Sequence, residues 1–136
     1  MSQRLVDRIL KNDYGYLDEQ VYLDYLVLMI AKVADEGNVV IMGRGSQYIL
    51  NDHPDAVHVL LIDDLENRIR FIMKNYDMSA RRAEQWVAAE DRRRANLYGK
   101  LHKTDYDNPS LYHLVINRGK VPLEDAKGLI LQMIPS

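Results

Sequence analysis

The sequence predicts an α/β fold, a three-layer arrangement around a parallel sheet, within a single domain spanning residues 1–136. Two observations predict it. Three short apolar runs, 39–42, 57–62 and 112–117, are rich in β-branched residues and bounded by turn signals. Stretches with helical spacing of apolar residues separate them, and strands alternating with helices build parallel, layered sheets. A chain of this length suits one domain with one core.

The elements follow in order. Leu5, Val6, Ile9 and Leu10, set between Arg4, Asp7, Arg8 and Lys11, predict a first helix that stops at Asn12-Asp13-Tyr14-Gly15. A second helix, from about Asp18 to Asp35, is apolar on most of its circumference and is expected to be well buried. Its tyrosines fit core packing, although tyrosine faces also stack on bases. After Gly37-Asn38, the run Val39-Val40-Ile41-Met42 reads as an inner strand. A short helix over 46–50 and the turn cluster Asn51-Asp52-His53-Pro54-Asp55 lead to a second buried strand, 57–62. Asp63-Asp64 cap a helix whose inner stripe is Ile69, Ile72 and Met73. Asn75-Tyr76-Asp77-Met78 breaks it, and Ser79 opens a further helix that passes Trp86 and reaches Arg94. The stretch 98–109 is polar, turn-rich and long enough to be a lid. The third strand, 112–117, precedes a last helix through Ala126, Leu129, Ile130 and Met133.

Composition narrows the function. The net charge of −2 leaves no electrostatic footprint for general DNA or RNA binding. There is no cysteine, so disulfides and thiolate metal sites are excluded, and a cytoplasmic address is expected. No stretch is apolar and long enough to span a bilayer, so no membrane partner is expected. The four histidines (53, 58, 102, 113) are scattered without metal-ligand spacing, and no metal site is expected.

Two arginine features carry chemistry. Gly43-Arg44-Gly45 follows the first apolar run, and ligands of open α/β sheets bind just beyond the carboxyl ends of strands. A permanent cation between two glycines there suits an anionic group such as phosphate. The same pattern fits a strand-to-helix turn whose arginine makes a structural ion pair. The second feature is Arg92-Arg93-Arg94. Three consecutive helical arginines point in different directions and cannot all pair with Glu90 and Asp91. They read either as a solvated face or as a mobile clamp on phosphates.

Taken together, the strand with Gly-Arg-Gly, Asn-Asp-His-Pro-Asp, the acidic-capped helix with Arg68, Asp91 to Arg94, and Asn108-Pro109 followed by a strand ending in Asn117 resemble the cytidylate kinase-like family. The resemblance covers about residues 18–134 and implies the P-loop fold of nucleoside monophosphate kinases. It implies ATP with Mg²⁺ as phosphoryl donor and a nucleoside monophosphate, CMP first, as acceptor. By the same resemblance Gly43, Arg44 and Gly45 hold the acceptor phosphate, and Arg68 and Asn117 lie near the donor nucleotide. Arg92, Arg93 and Arg94 sit on a lid over about residues 91–110, and Asp91 resembles the lid aspartate that orients them or the base. The family's hydroxyl residue after Asn117 is replaced here by Arg118.

One departure outweighs the others. The family opens with a strand and a glycine-rich phosphate loop, G-x-x-x-x-G-K-[ST], and these 136 residues contain no match to it. The expectation is an incomplete family fold, with the first strand and phosphate loop missing. Three accounts stay open: a truncated kinase, a P-loop-less nucleotide-binding or regulatory module, and a homodimer in which a second copy completes the sheet. Weak or absent kinase activity is expected from this chain alone, the alternative function being non-catalytic.

Overall fold

The computed structural model describes residues 19–134. The predicted first helix and Tyr14 and Tyr16 lie outside the described residues. The chain divides into two compact units, one up to Ala56 and one from Val57 onward.

In the first unit, helix α1 (Glu19–Glu36) ends at Gly37, which takes a positive φ of 72° as helix stops often do. Its N–H donates back to Ala34 O at 3.0 Å. Val21, Leu23 and Ile30 are buried, but Tyr25, Val27, Leu28 and Met29 are exposed. The expectation of a helix buried on most of its circumference is therefore corrected: only part of its apolar surface is packed, and four of its apolar side chains stay in the open. Helix α2 (Ser46–Ile49) is the short helix expected over 46–50.

The first apolar run is the larger correction. Residues 39–42 are not a strand of any sheet. Val40 is 91% exposed and Met42 86% exposed. Among the described residues, no backbone group of 39–42 makes a hydrogen bond. A strand exists only by pairing, and among the described residues the apolar, β-branched pattern has no neighbour to pair with.

In the second unit, strand β1 (Val59–Ile62) pairs in parallel with β2 (Leu114–Asn117), in register from Val59 opposite Leu114 to Ile62 opposite Asn117. The parallel α/β expectation holds, with two strands rather than three among the described residues. Leu60 and Ile116 are buried, but Leu61 and Ile62 are exposed, because a two-stranded sheet leaves most of its surface uncovered. The ladder extends one step beyond each end: His113 N–H donates to His58 O at 2.8 Å, and Arg118 N–H to Ile62 O at 2.7 Å.

The crossover from β1 to β2 carries two helices, α3 (Leu65–Tyr76) and α4 (Ala80–Lys100). Asp77, with φ 50°, reverses the chain between them at the predicted break. The Ser79 hydroxyl accepts the Arg82 N–H at 3.4 Å, as a helix cap should. Ile72, Ala83 and Val87 form the buried seam, with Ile69, Met73 and Met78 packed on it. Helix α4 does not stop at Arg94. It continues to Lys100, so the first half of the expected lid is regular helix. A short 3-10 turn (Pro109–Leu111) precedes β2, and helix α5 (Leu123–Met133) closes the description. No described helix is long and apolar enough to cross a membrane.

Candidate functional site

The Gly43-Arg44-Gly45 segment is a tight turn built from three successive residues of positive φ: 69°, 62° and 72°. Ser46 N–H donates to Gly43 O at 3.2 Å and closes it. Glycine adopts this conformation freely. For arginine it costs about 1–2 kcal/mol. A Cβ on Gly43 would meet nothing within 4 Å, so that glycine answers to backbone conformation and not to crowding. Gly45 is buried and starts α2, its carbonyl accepting Tyr48 N–H at 3.0 Å. Arg44 is exposed and has no ion pair among the described residues. The structural-ion-pair reading of this arginine thus finds no partner there.

The second cluster lies on α4. Helical steps of about 100° send Arg92, Arg93 and Arg94 to three different sides, as the sequence requires. Arg93 pairs with Glu90 one turn back. Arg94 reaches out to Asp107 at 2.7 Å. Arg92 is exposed and unpaired among the described residues. Asp91 does not orient these neighbours. It makes a two-pronged bond to Arg68 of α3, at 2.5 and 3.1 Å. That fork matches planar guanidinium to planar carboxylate and ties α3 to α4. Two site residues that the resemblance assigns to different partners, Arg68 and Asp91, are therefore bound to each other.

Arg94 sits in an aromatic frame that sequence reasoning missed. Its guanidinium lies 4.8 Å from the Tyr106 ring centre and 5.5 Å from that of Tyr98. The two rings stack at 4.2 Å with an interplanar angle of 8°. Tyr98 is buried at the end of α4, and the Tyr112 hydroxyl donates to Tyr106 O. Burial works against the charge on Arg94. The hydrogen bond to Asp107 and that residue's charge outweigh it, so the guanidinium is held above its usual value. Burial, and after it the neighbouring Tyr98, push the Tyr112 phenol up. The sequence signal was present but diffuse: an aspartate and three tyrosines spread around a polar loop, joined only by the fold.

At the carboxyl end of β2, Asn117 Oδ1 accepts Gly119 N–H at 3.0 Å. Asp63, just past β1, accepts from Asp64 N–H and from Asn67 Nδ2, each at 2.8 Å. Gly119 lies so close that a Cβ there would stand 2.5 Å from Asp63 Oδ1 and 2.7 Å from Asn67 Nδ2. The Arg118 guanidinium donates to Val121 O. At the opposite end of the strands, the scattered histidines 58 and 113 come together, with ring centres 5.4 Å apart. His113 Nδ1 accepts the His58 N–H at 2.9 Å.

Chemically, the described residues divide into spent and available cations. Arg68, Arg93 and Arg94 are neutralised by carboxylates, while Arg44 and Arg92 are available to an anion. Among the described residues no three histidine or carboxylate side chains converge as a metal site would need. The residues present do not fit the donor cradle that ATP and Mg²⁺ require. The phosphate loop has no counterpart in the sequence, and Arg68 is held by Asp91.

Comparison with known proteins adds three findings. A model of the cytidylate kinase-like family matches residues 1–120. A curated relative, the uronate isomerase of Corynebacterium glutamicum, is 28% identical over 100 residues, covering 74% of this chain and 19% of that protein. The chain spans about a fifth of that relative's length, and the isomerase name describes the larger protein. The crystal structure of an uncharacterized protein from Eubacterium ventriosum superimposes with a TM-score of 0.69. The match covers 97% of this chain and 80% of that one at 17% identity, so the fold is shared with a solved structure.

Proposed function

We propose a nucleotide-binding role for this chain from one premise: it belongs to the cytidylate kinase-like family, whose model spans residues 1–120. The chain binds the phosphate of a nucleoside monophosphate at Gly43-Arg44-Gly45, with CMP the first candidate from the family's description. By itself it transfers phosphoryl groups slowly or not at all. One observation carries the reading. Arg44 is a strained, exposed cation in a glycine turn, unpaired among the described residues, and backbone strain of this kind collects where a ligand is gripped.

Arg44 presents its guanidinium to two phosphate oxygens at once, which a lysine could not do with the same geometry. Gly43 and Gly45 hold the backbone in the left-handed turn that projects it. The fold is read as a nucleoside monophosphate kinase architecture, and the lid arginines as its phosphate-neutralising face. In that reading only Arg92 of the three stands ready, and Arg94 joins when Asp107 releases it.

Titration calorimetry with CMP tests the binding, alongside Arg44→Ala and Arg92→Ala. Saturable binding that Arg44→Ala removes is the expected result. Binding that survives Arg44→Ala places the phosphate elsewhere and overturns the assignment.

A further inference from the structure

Arg94 is held in a geometry that an ion pair with Asp107 does not require. A surface pair needs a cation and a carboxylate and nothing more. Here the guanidinium also lies against two tyrosine rings, 4.8 Å from the centre of Tyr106 and 5.5 Å from that of Tyr98. Those rings stack on each other at 4.2 Å and lie 8° from parallel. Tyr98 is buried near the end of α4, and the Tyr112 hydroxyl donates to the carbonyl of Tyr106. The frame is therefore built from α4, from the loop that follows it and from the approach to β2. Neither Arg92 nor Arg93 has a ring against it among the described residues.

The rings and the carboxylate do separate jobs. Ring faces attract a guanidinium whatever anion sits at its edge, and the planar cation keeps N–H donors along that edge for an oxyanion. Arg94 Nη1 meets Asp107 Oδ1 at 2.7 Å. The Asp107 side chain is 60% exposed, against 39% for Arg94, so the carboxylate can turn into water while the cation stays in place. A phosphoryl group brings up to about two negative charges and three acceptor oxygens, more than a carboxylate offers. We propose that the tyrosine frame around Arg94 is a binding site for a phosphoryl group, and that Asp107 is its built-in competitor. The carboxylate fills the site in the free protein and swings out when phosphate enters.

Asp107 thereby acts as an autoinhibitory group and not only as a structural partner. The contrast with Arg68 shows why the anion at Arg94 is exchangeable. The Arg68–Asp91 fork joins two helices, so breaking it removes a tie between them. The Arg94–Asp107 pair joins a helix to an exposed loop. That loop has other ties, the Tyr98–Tyr106 stack and the Tyr112 bond to Tyr106 O, and neither passes through Asp107. Exchanging the anion leaves both in place. The inference rests on reading the α4 arginines as phosphate-facing, and it makes no use of Arg44.

NMR titration of the full 136-residue chain with inorganic phosphate, and separately with CMP, tests it at constant ionic strength. The signals followed are the Arg94 Nε–H and the backbone amides of residues 104–108. Three proteins are compared: wild type, Asp107→Asn, and Asp107→Asn combined with Arg94→Ala. Each is also made with Arg44→Ala, so that the Gly-Arg-Gly turn cannot contribute. Circular dichroism melts run alongside show that each variant is folded, and asparagine keeps the shape of the aspartate it replaces. The expected result is weak binding by the wild type and binding about tenfold tighter or more by Asp107→Asn, because a competing charge beside the ligand is gone. Both probes show the gain, Arg94→Ala cancels it, and Arg44→Ala leaves it unchanged. A folded Asp107→Asn that binds phosphate no more tightly than the wild type overturns the proposal. So does a gain that survives Arg94→Ala, one that disappears with Arg44→Ala, or one shown by CMP and not by phosphate. A turn that fails to bind CMP overturns the Gly-Arg-Gly assignment and leaves these outcomes as they stand.

Discussion

Arg44 concentrates the functional argument at the scale of a single residue. Its φ of 62° sits where glycine would rest without strain. Arg44→Gly should therefore raise the stability of the free protein by about 1 kcal/mol, while nucleotide binding is lost. Chemical unfolding together with ligand titration checks both halves. A loss of stability would show that the arginine is held by structure rather than by function. The glycines around it were legible in the sequence as places of unusual backbone. The left-handed state of Arg44 itself was not, because nothing in its side chain announces it. The partners of the other arginines were equally hidden: Arg68 and Asp91 are 23 positions apart, and Arg94 meets Asp107 only because the chain turns back on itself after Lys100.

Tyr112 gives a pH prediction at the same scale. Its folded pKa is raised above the ordinary value of 10.0, chiefly by burial. The phenol thus binds its proton more tightly when folded. Its stabilising contribution is fully present below pH 10.0 and is lost as pH rises through the raised value. The unfolding midpoint should therefore fall as pH rises from 10.0 through that raised value. Tyr112→Phe should show a shallower fall, read from melts across the alkaline range.

The elements fold for local reasons and are joined by long-range ones. The seam of Ile72, Ala83 and Val87 holds α3 on α4. Ile72→Ala should cost about 2–5 kcal/mol, the usual range for emptying a packed site, as measured by denaturant unfolding. The Arg68–Asp91 fork crosses the same pair of helices, but both side chains are substantially exposed, at 38% and 50%. A double-mutant cycle with Arg68→Ala and Asp91→Ala should give a coupling of only about 0.5–1 kcal/mol. A coupling several times larger would make the pair the main tie between the helices.

The helices of the second unit were readable from apolar spacing and from the breaks at Asp77 and Ser79. The end of α4 was not. The stretch that opens at residue 98 reads as polar and turn-rich, yet Tyr98 is buried there and stacks on Tyr106, and that packing accompanies a helix that runs on to Lys100. The apolar run 39–42 failed in the opposite direction. Its composition says strand, but composition cannot supply the neighbour that a strand needs, and Val40 and Met42 stand in the open.

At the scale of the whole molecule, a parallel α/β arrangement and membership of the cytidylate kinase-like family agree. The donor side of a kinase does not appear in the same residues. No phosphate loop is encoded in them, and Arg68 is committed to Asp91. Purified chain supplied with Mg-ATP and CMP should form no CDP above background in a coupled assay. Clear turnover would mean that the donor phosphates are cradled by residues other than the family's loop.

The central claim is that the Gly-Arg-Gly turn grips a nucleotide phosphate. A thermal-shift panel of CMP, UMP, AMP and GMP, run on the wild type and on Arg44→Ala, tests it most directly. A ligand that binds only the folded state adds about 2.7 kcal/mol of stability at a hundredfold excess over its Kd. The account predicts that at least one monophosphate, CMP first, raises the wild-type midpoint, and that Arg44→Ala abolishes the rise. A wild-type midpoint that no monophosphate moves, or a rise that Arg44→Ala leaves intact, would contradict it.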